Sequence, residues 1–203
     1  MIIETTLLVA AIVSAAGATV RRHFKNARGK EIAILGPRRS GKSTLATILR
    51  SGTVTHEYIE TLMTEKLSGD LRMESLSLKV TTQDPGGAKS EYGEWREIHK
   101  SARLVCYVID AHRMLKRDDR YRDLAINGAE HVSIWGEAKP TVLVLAHIDE
   151  ATGDASHPDV IFGHADVQRI QALTNAKQRI AVNLMDERDQ NRVRILVAQE
   201  LRS

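Results

Sequence analysis

The stretch GPRRSGKST, beginning at Gly36, constrains this chain more than any other. It matches the pattern G-x-x-x-x-G-K-[ST], follows the apolar run EIAILG (31–36), and leads into KSTLATILRSG (42–52), whose apolar residues recur at helical spacing before a glycine stop. A strand that turns through glycines into a helix leaves backbone N–H groups without partners, and the helix dipole adds partial positive charge at the same place. An anion is the natural occupant. Gly36 and Gly41 let the backbone wrap closely, and the amides from Arg39 through Ser40 and Gly41 to Thr44 are placed to meet phosphate oxygens. Lys42 is expected to reach the terminal phosphates and Ser43 to hold Mg2+. Arg38, third in the loop, brings its side chain near the terminal phosphate.

The remaining periodicity sets the architecture. Strands are predicted at 71–75 and 76–82 as a hairpin or broken pair, at 103–111 (RLVCYVIDA), at 141–149 (TVLVLAHID) and at 179–185 (RIAVNLM). Helices are predicted at 89–102, 120–135, 165–178 and 189–201. The continuous apolar runs at 103–111 and 141–149 are of the kind buried on both faces. Strands alternating with helices predict an α/β fold in three layers, with a mostly parallel six-stranded sheet covered on both sides.

At 203 residues the chain suits one globular domain with a short extension. The formal net charge of +3 is modest and the signs are interspersed, which argues against nucleic acid as a partner. The lone cysteine, Cys106, cannot form an internal disulfide, and inside an apolar strand it reads as a small buried hydrophobe. The N-terminus is different in kind. Residues 5–20, TTLLVAAIVSAAGATV, carry no charge, and as a helix these 16 residues are about 24 Å long against a hydrocarbon core of about 30 Å. Ile2 and Ile3 extend the run. Arg21, Arg22, Lys25, Arg28 and Lys30 follow it, the reverse of a secretory signal, and hold the C-terminal side in the cytoplasm. The expectation is a transmembrane anchor helix at 1–22, with residues 2–20 in the membrane, a basic linker at 23–30 and a cytoplasmic domain at 31–203. The alternative is a helix packed on the domain or a partner.

Downstream of the loop, the strand SLKVTTQ runs into Asp84, Pro85, Gly86 and Gly87. With this D-x-G-G turn, the chain from Glu31 to its C-terminus resembles a Ras-like small GTPase of the P-loop class, nearest to the Arf and signal-recognition-particle-receptor beta branch. The resemblance implies that Asp84 holds Mg2+ through water and that the Gly87 amide meets the terminal phosphate, so that Lys42 and Gly87 serve the chemistry. A switch threonine closing over Mg2+ would be Thr64 or Thr61, with Thr53 and Thr55 placed rather early. Where small GTPases read guanine with N-K-x-D, this chain has Ala146, His147, Ile148 and Asp149: the carboxylate that accepts the base's N–H groups is present, His147 stands in for the lysine stem, and the asparagine is gone. A loop touching the guanine oxygen maps to Asn183 and Leu184. The glutamine that orients the attacking water is replaced by Ala88, which implies slow or partner-dependent hydrolysis.

The implied protein is a membrane-tethered switch that binds GTP and GDP with Mg2+ and acts through a protein effector or activator. The alternatives are a nucleotide-locked scaffold and an ATP-using kinase, the latter disfavoured because no arginine-rich lid segment is found. His157 and His164 with Asp154 and Asp159 lack fixed metal-ligand spacing and read as a polar insert. Trp95 and Trp135 read as packing residues or a contact surface. Asp110 ends a buried strand, where it either coordinates something or has no part in nucleotide binding.

Overall fold

The computed structural model describes residues 31–51, 71–72, 77–80, 89–116, 118–135, 138–151 and 157–201. The expected anchor and linker, the candidate switch threonines, the Asp84–Gly87 turn with Ala88, and Asp154 lie outside the described residues.

The strands are β1 (Glu31–Leu35), β2 (Leu71–Arg72), β3 (Ser77–Val80), β4 (Leu104–Asp110), β5 (Thr141–Ala146) and β6 (Gln178–Ala181). They form a six-stranded sheet in the order β2-β3-β1-β4-β5-β6. Only the β2–β3 pair is antiparallel; the other neighbours run parallel. The helices are α1 (Lys42–Ser51), α2 (Lys89–Ser101), α3 (Ala111–Leu115), α4 (Asp119–Ile134), α5 (Pro158–Gly163), α6 (Ala165–Leu173) and α7 (Glu187–Glu200), with a 3-10 turn at Ile148–Glu150.

Every residue of β4 and β5 is buried, as the continuous apolar runs require of strands covered on both faces. Successive side chains point to opposite faces, and two cores result. Ile32, Ile34, Cys106, Val108, Val142 and Val144 pack with Leu45, Ile48 and Leu49 of α1 and Val193 and Val197 of α7. Ala33, Leu35, Tyr107, Ile109, Leu143 and Leu145 face Trp95 of α2, Tyr121 and Ala125 of α4, and Val167 and Ile170 of α6. Three layers follow from a period of two in the strands and an apolar stripe on each helix. Cys106 is a core residue as expected, its thiol pushed up to about 12 by burial. Trp95 is fully buried in the second core and Trp135 packs against it.

Several boundaries differ from the sequence expectation, each for a local reason. Strand β5 stops at Ala146 rather than continuing to Asp149, because His147 takes a left-handed conformation (φ 59°) and starts the 3-10 turn. Helix α6 ends at Leu173, not at residue 178: the Thr174 hydroxyl donates to the Ile170 carbonyl, and Asn175 at φ 50° turns the chain out. The run at 179–185 is extended only through Ala181, since the Asn183 side chain accepts from the Met185 amide and makes a turn. The insert at 158–163 is a short helix with proline in its first turn. Among the described residues, no helix is long and apolar enough to cross a membrane.

Candidate functional site

Chain connections leave β1 toward β3 on one side and β4 on the other, so a crevice opens at the carboxyl end of β1, where open α/β sheets place their ligands. The glycine loop fills this position, and its backbone lies hard against β4. A Cβ on Gly36, whose φ is 140°, would stand 2.0 Å from the Val108 carbonyl oxygen. At the loop's other end, Gly41 has φ 91°, and a Cβ there would come within 2.9 Å of Leu184 Cδ1, 3.3 Å of Ala146 Cβ and 3.6 Å of His147 Nε2. Gly41 therefore joins three segments far apart in sequence: the loop, the end of β5 and the turn after β6.

Inside the loop, Arg39 is exposed and held at φ 60°. Ser40 is fully buried, and its hydroxyl has no hydrogen-bond partner among the described residues. Lys42 is 6% exposed, and its ammonium folds back to donate to the carbonyls of Gly36 at 2.8 Å and Pro37 at 2.5 Å. Ser43 is exposed and Thr44 half-buried at the start of α1, whose first turn carries no acidic residue. The positive end of the helix dipole is left uncompensated by any carboxylate of that turn, and a buried cation stands beside it.

On the opposite side, His147 Nδ1 lies 3.1 Å from Glu150 Oε1, and Asp149 is exposed on the 3-10 turn. Asn183 and Leu184 are fixed by groups outside the sequence reading. The Asp189 carboxylate accepts from the Asn183 amide at 2.8 Å, and the buried Gln190 side chain donates to the Leu184 carbonyl at 3.0 Å. Asp186 caps α7 by accepting from the amides of Arg188 and Asp189. A helix start at D-x-x-D before an apolar stripe is the sequence signal that locates Asp186 and Asp189; none marks Gln190.

No family model and no curated protein matches the sequence. Solved structures do match in three dimensions. A small COPII coat GTPase SAR1 from Encephalitozoon cuniculi, an ADP-ribosylation-factor-like protein in complex with GDP, aligns over 98% of this chain and 92% of its own, with a TM-score of 0.59 and 15% identity. A GTP-binding protein from the archaeon Sulfolobus solfataricus, also with GDP, aligns over 85% of this chain but 52% of its own, with a TM-score of 0.57 and 16% identity. The Arl6 BBS3 small GTPase from Trypanosoma brucei with bound GppNp covers 85% of this chain and 98% of its own at a TM-score of 0.51 and 12% identity. The chain has the Ras-like, Arf-type P-loop GTPase fold.

Within this P-loop GTPase fold, Asp110 has a structural task. Its side chain caps α3 by accepting from the Arg113 amide at 2.9 Å, and its own amide donates to the Tyr121 hydroxyl at 2.6 Å. Burial raises its carboxyl above the ordinary range, partly offset by the Arg113 amide and by His147. A raised native pKa means that the folded state holds the proton more tightly than the unfolded chain. The associated stability is complete at acid pH, below the unfolded value, and is lost as pH rises through the folded one. Asp110→Asn keeps a capping acceptor but cannot ionise. Its stability relative to the parent chain is expected to increase as pH rises out of the carboxylate range, measured by urea midpoints across pH 4 to 8.

The histidines of the insert do not gather into one cluster. His157 lies 3.6 Å from Asp159 and His164 lies 3.8 Å from Asp166 as separate pairs, and the described residues contain no group of three or more potential metal ligands.

Proposed function

We propose that this protein is a membrane-tethered switch that binds GTP or GDP with Mg2+ in the P-loop and changes its affinity for a protein partner with the state of the nucleotide. The convergence of Gly41, His147 and Leu184 carries the proposal, because it joins a phosphate-binding loop to the two segments through which this fold meets a base. The GDP and GppNp complexes of the structural neighbours support the same assignment.

The residues present fit a polyphosphate. The loop offers a buried, unpartnered Ser40 hydroxyl, a glycine at the contact point and a helix start without carboxylate. Lys42 is already desolvated, so exchanging the Gly36 and Pro37 carbonyls for phosphate oxygens replaces neutral acceptors by charged ones, which bind a cation more strongly. Ser43, with Asp84 and Thr64, would hold Mg2+, which supplies neutralisation of phosphate charge. The Gly87 amide would meet the terminal phosphate. Asp149 accepts from the ring and exocyclic N–H groups of guanine, and His147 covers the base. Ala88 has no group to orient water, so turnover is slow unless a partner supplies one.

Anchoring through 1–22 and the linker 23–30 is supported by the uncharged run at 5–20 with cations only after it, which leaves the domain at 31–203 on the cytoplasmic side. Ala88 also supports a second function, a nucleotide-locked scaffold. Single-turnover hydrolysis with and without cell extract separates the two, since a switch shows stimulated cleavage.

Asp149→Ala tests the base assignment. Loss of two charge-assisted hydrogen bonds is expected to lower GTP affinity by roughly a hundredfold while leaving weak ATP binding unchanged, as measured by competition against a fluorescent guanine nucleotide. An unaltered preference for GTP over ATP would remove guanine recognition from this carboxylate.

A further inference from the structure

Exposed cations gather at the amino edge of the sheet. Helices return antiparallel to the parallel strands, so their N-termini gather at the carboxyl edge, where Asp110, Asp118 and Asp186 cap them. Their C-termini and the loops entering β4, β5 and β6 make the amino edge. There stand Lys100 at the end of α2, Arg103 before β4, Lys139 before β5 and Lys177 before β6. Lys100, Arg103 and Lys177 are exposed, and none of the three makes an ion pair with another described residue. The helix dipole accounts for Lys100 in the last turn of α2. It accounts equally for Lys139, whose ammonium donates to the Lys100 carbonyl at 3.2 Å in that last turn, but not for Arg103 and Lys177, which lie in loops.

The same edge carries Ile134 at the end of α4, which at 72% is more exposed than any other large apolar side chain of the described residues. Beside it the half-buried Trp135 ring lies 5.2 Å from that of His99, and Arg96, Glu97, His99 and Lys100 line a cleft of about 260 Å3 against it. Strand β1 begins at this edge, so the segment 1–30, with its uncharged run and five trailing cations, joins the domain here.

We propose that the amino edge of the sheet lies on a membrane surface and takes anionic phospholipid headgroups, with Ile134 entering the interfacial layer. The charge and the exposed isoleucine are independent of the anchor; the delivery of this edge to the bilayer rests on the anchoring proposed above. The linker 23–30 reaches at most about 28 Å when fully extended. Cations held that close to an anionic leaflet are attracted over a Debye length of about 8 Å, and an exposed aliphatic side chain next to Trp135 suits the headgroup boundary. The nucleotide loop, at the other end of the strands, then faces away from the bilayer by roughly 20 Å.

The test uses the full chain on vesicles of phosphatidylcholine alone or with phosphatidylserine. Because Cys106 is buried, a dye attaches selectively to Ser133→Cys at the amino edge or Glu187→Cys at the carboxyl edge, and energy transfer to a labelled lipid reports which edge is nearer. Transfer is expected to be stronger from position 133 on phosphatidylserine vesicles. High salt or the triple variant Lys100→Gln, Arg103→Gln, Lys177→Gln should abolish the difference and lower the serine-dependent increment in partitioning by about a hundredfold. Equal transfer from both positions at low salt overturns the proposal and points to a protein as the partner of this edge. A difference that persists on pure phosphatidylcholine or in the triple variant overturns the role of charge. Flotation with phosphatidylcholine alone reports the anchor separately: without it, serine-dependent binding lost in the triple variant still supports the edge, and flotation without asymmetry supports the anchor alone.

Discussion

Gly36→Ala is expected to lower the stability of the domain by roughly 3–5 kcal/mol, the sum of a strained left-handed backbone and a steric insertion into a close-packed contact. The obstacle is backbone, not a flexible side chain: the added carbon would sit 2.0 Å from the Val108 carbonyl oxygen, in a strand with no exposed residue. Either the loop or β4 must shift, and β4 is held between β1 and β5. Against a typical total of about 5–15 kcal/mol, such a loss removes roughly a fifth of the stability or more. Gly93→Ala is the control, since nothing lies within 4 Å of a Cβ there and the residue is an exposed position of α2. That change is expected to raise stability by about 0.5–1 kcal/mol. Urea midpoints of the two variants should move in opposite directions; a Gly36 variant as stable as the parent would show that the loop does not pack on β4 as described.

Lys42→Ala carries the second large effect, and it falls on binding. The ammonium is buried and shared between two loop carbonyls, so the variant removes a positive charge poised at the loop and leaves the Gly36 and Pro37 oxygens without that donor. Charge-assisted hydrogen bonds to phosphate contribute about 1.5–3 kcal/mol each, so affinity for GTP with Mg2+ is expected to fall by about two to three orders of magnitude. Lys42→Arg should rescue little of it, because a planar guanidinium does not reproduce a compact ammonium that donates in three directions. Titration with a fluorescent GTP analogue, alongside unfolding midpoints, separates loss of binding from loss of fold. Unchanged affinity in both variants would remove the loop from nucleotide binding.

The strand, loop and helix around Gly36 were legible because their signals are local: an apolar run, two glycines at fixed spacing and a helical stripe. The layered sheet was legible from LVCYVID and TVLVLA, whose unbroken apolarity demands cover on both faces. What failed to show is conformational. Nothing in LAHID announces that His147 turns left-handed and ends β5 three residues before Asp149, because hydrophobic periodicity is blind to a sign change in φ. Likewise RIAVNLM reads as a strand, although Asn183 hydrogen bonds within its own turn and Gln190, in the first turn of α7, holds Leu184 in place. The arrangement of the candidate residues was not legible: that a Cβ on Gly41 would meet both Ala146 and Leu184 is a product of parallel pairing between distant segments.

Strand β4 runs from Leu104 at one pole of the sheet to Asp110 at the other, buried throughout and hydrogen-bonded on both sides. Sliding it by a single residue would swap the groups presented to the two cores, sending Tyr107 and Ile109 where Cys106 and Val108 now fit. The sheet consequently behaves as a stiff chassis. Signals passing along β4 between opposite poles are expected to travel by tilting or translating the helices clamped to it, and labels fixed on β4 should report no displacement while those on the helices do.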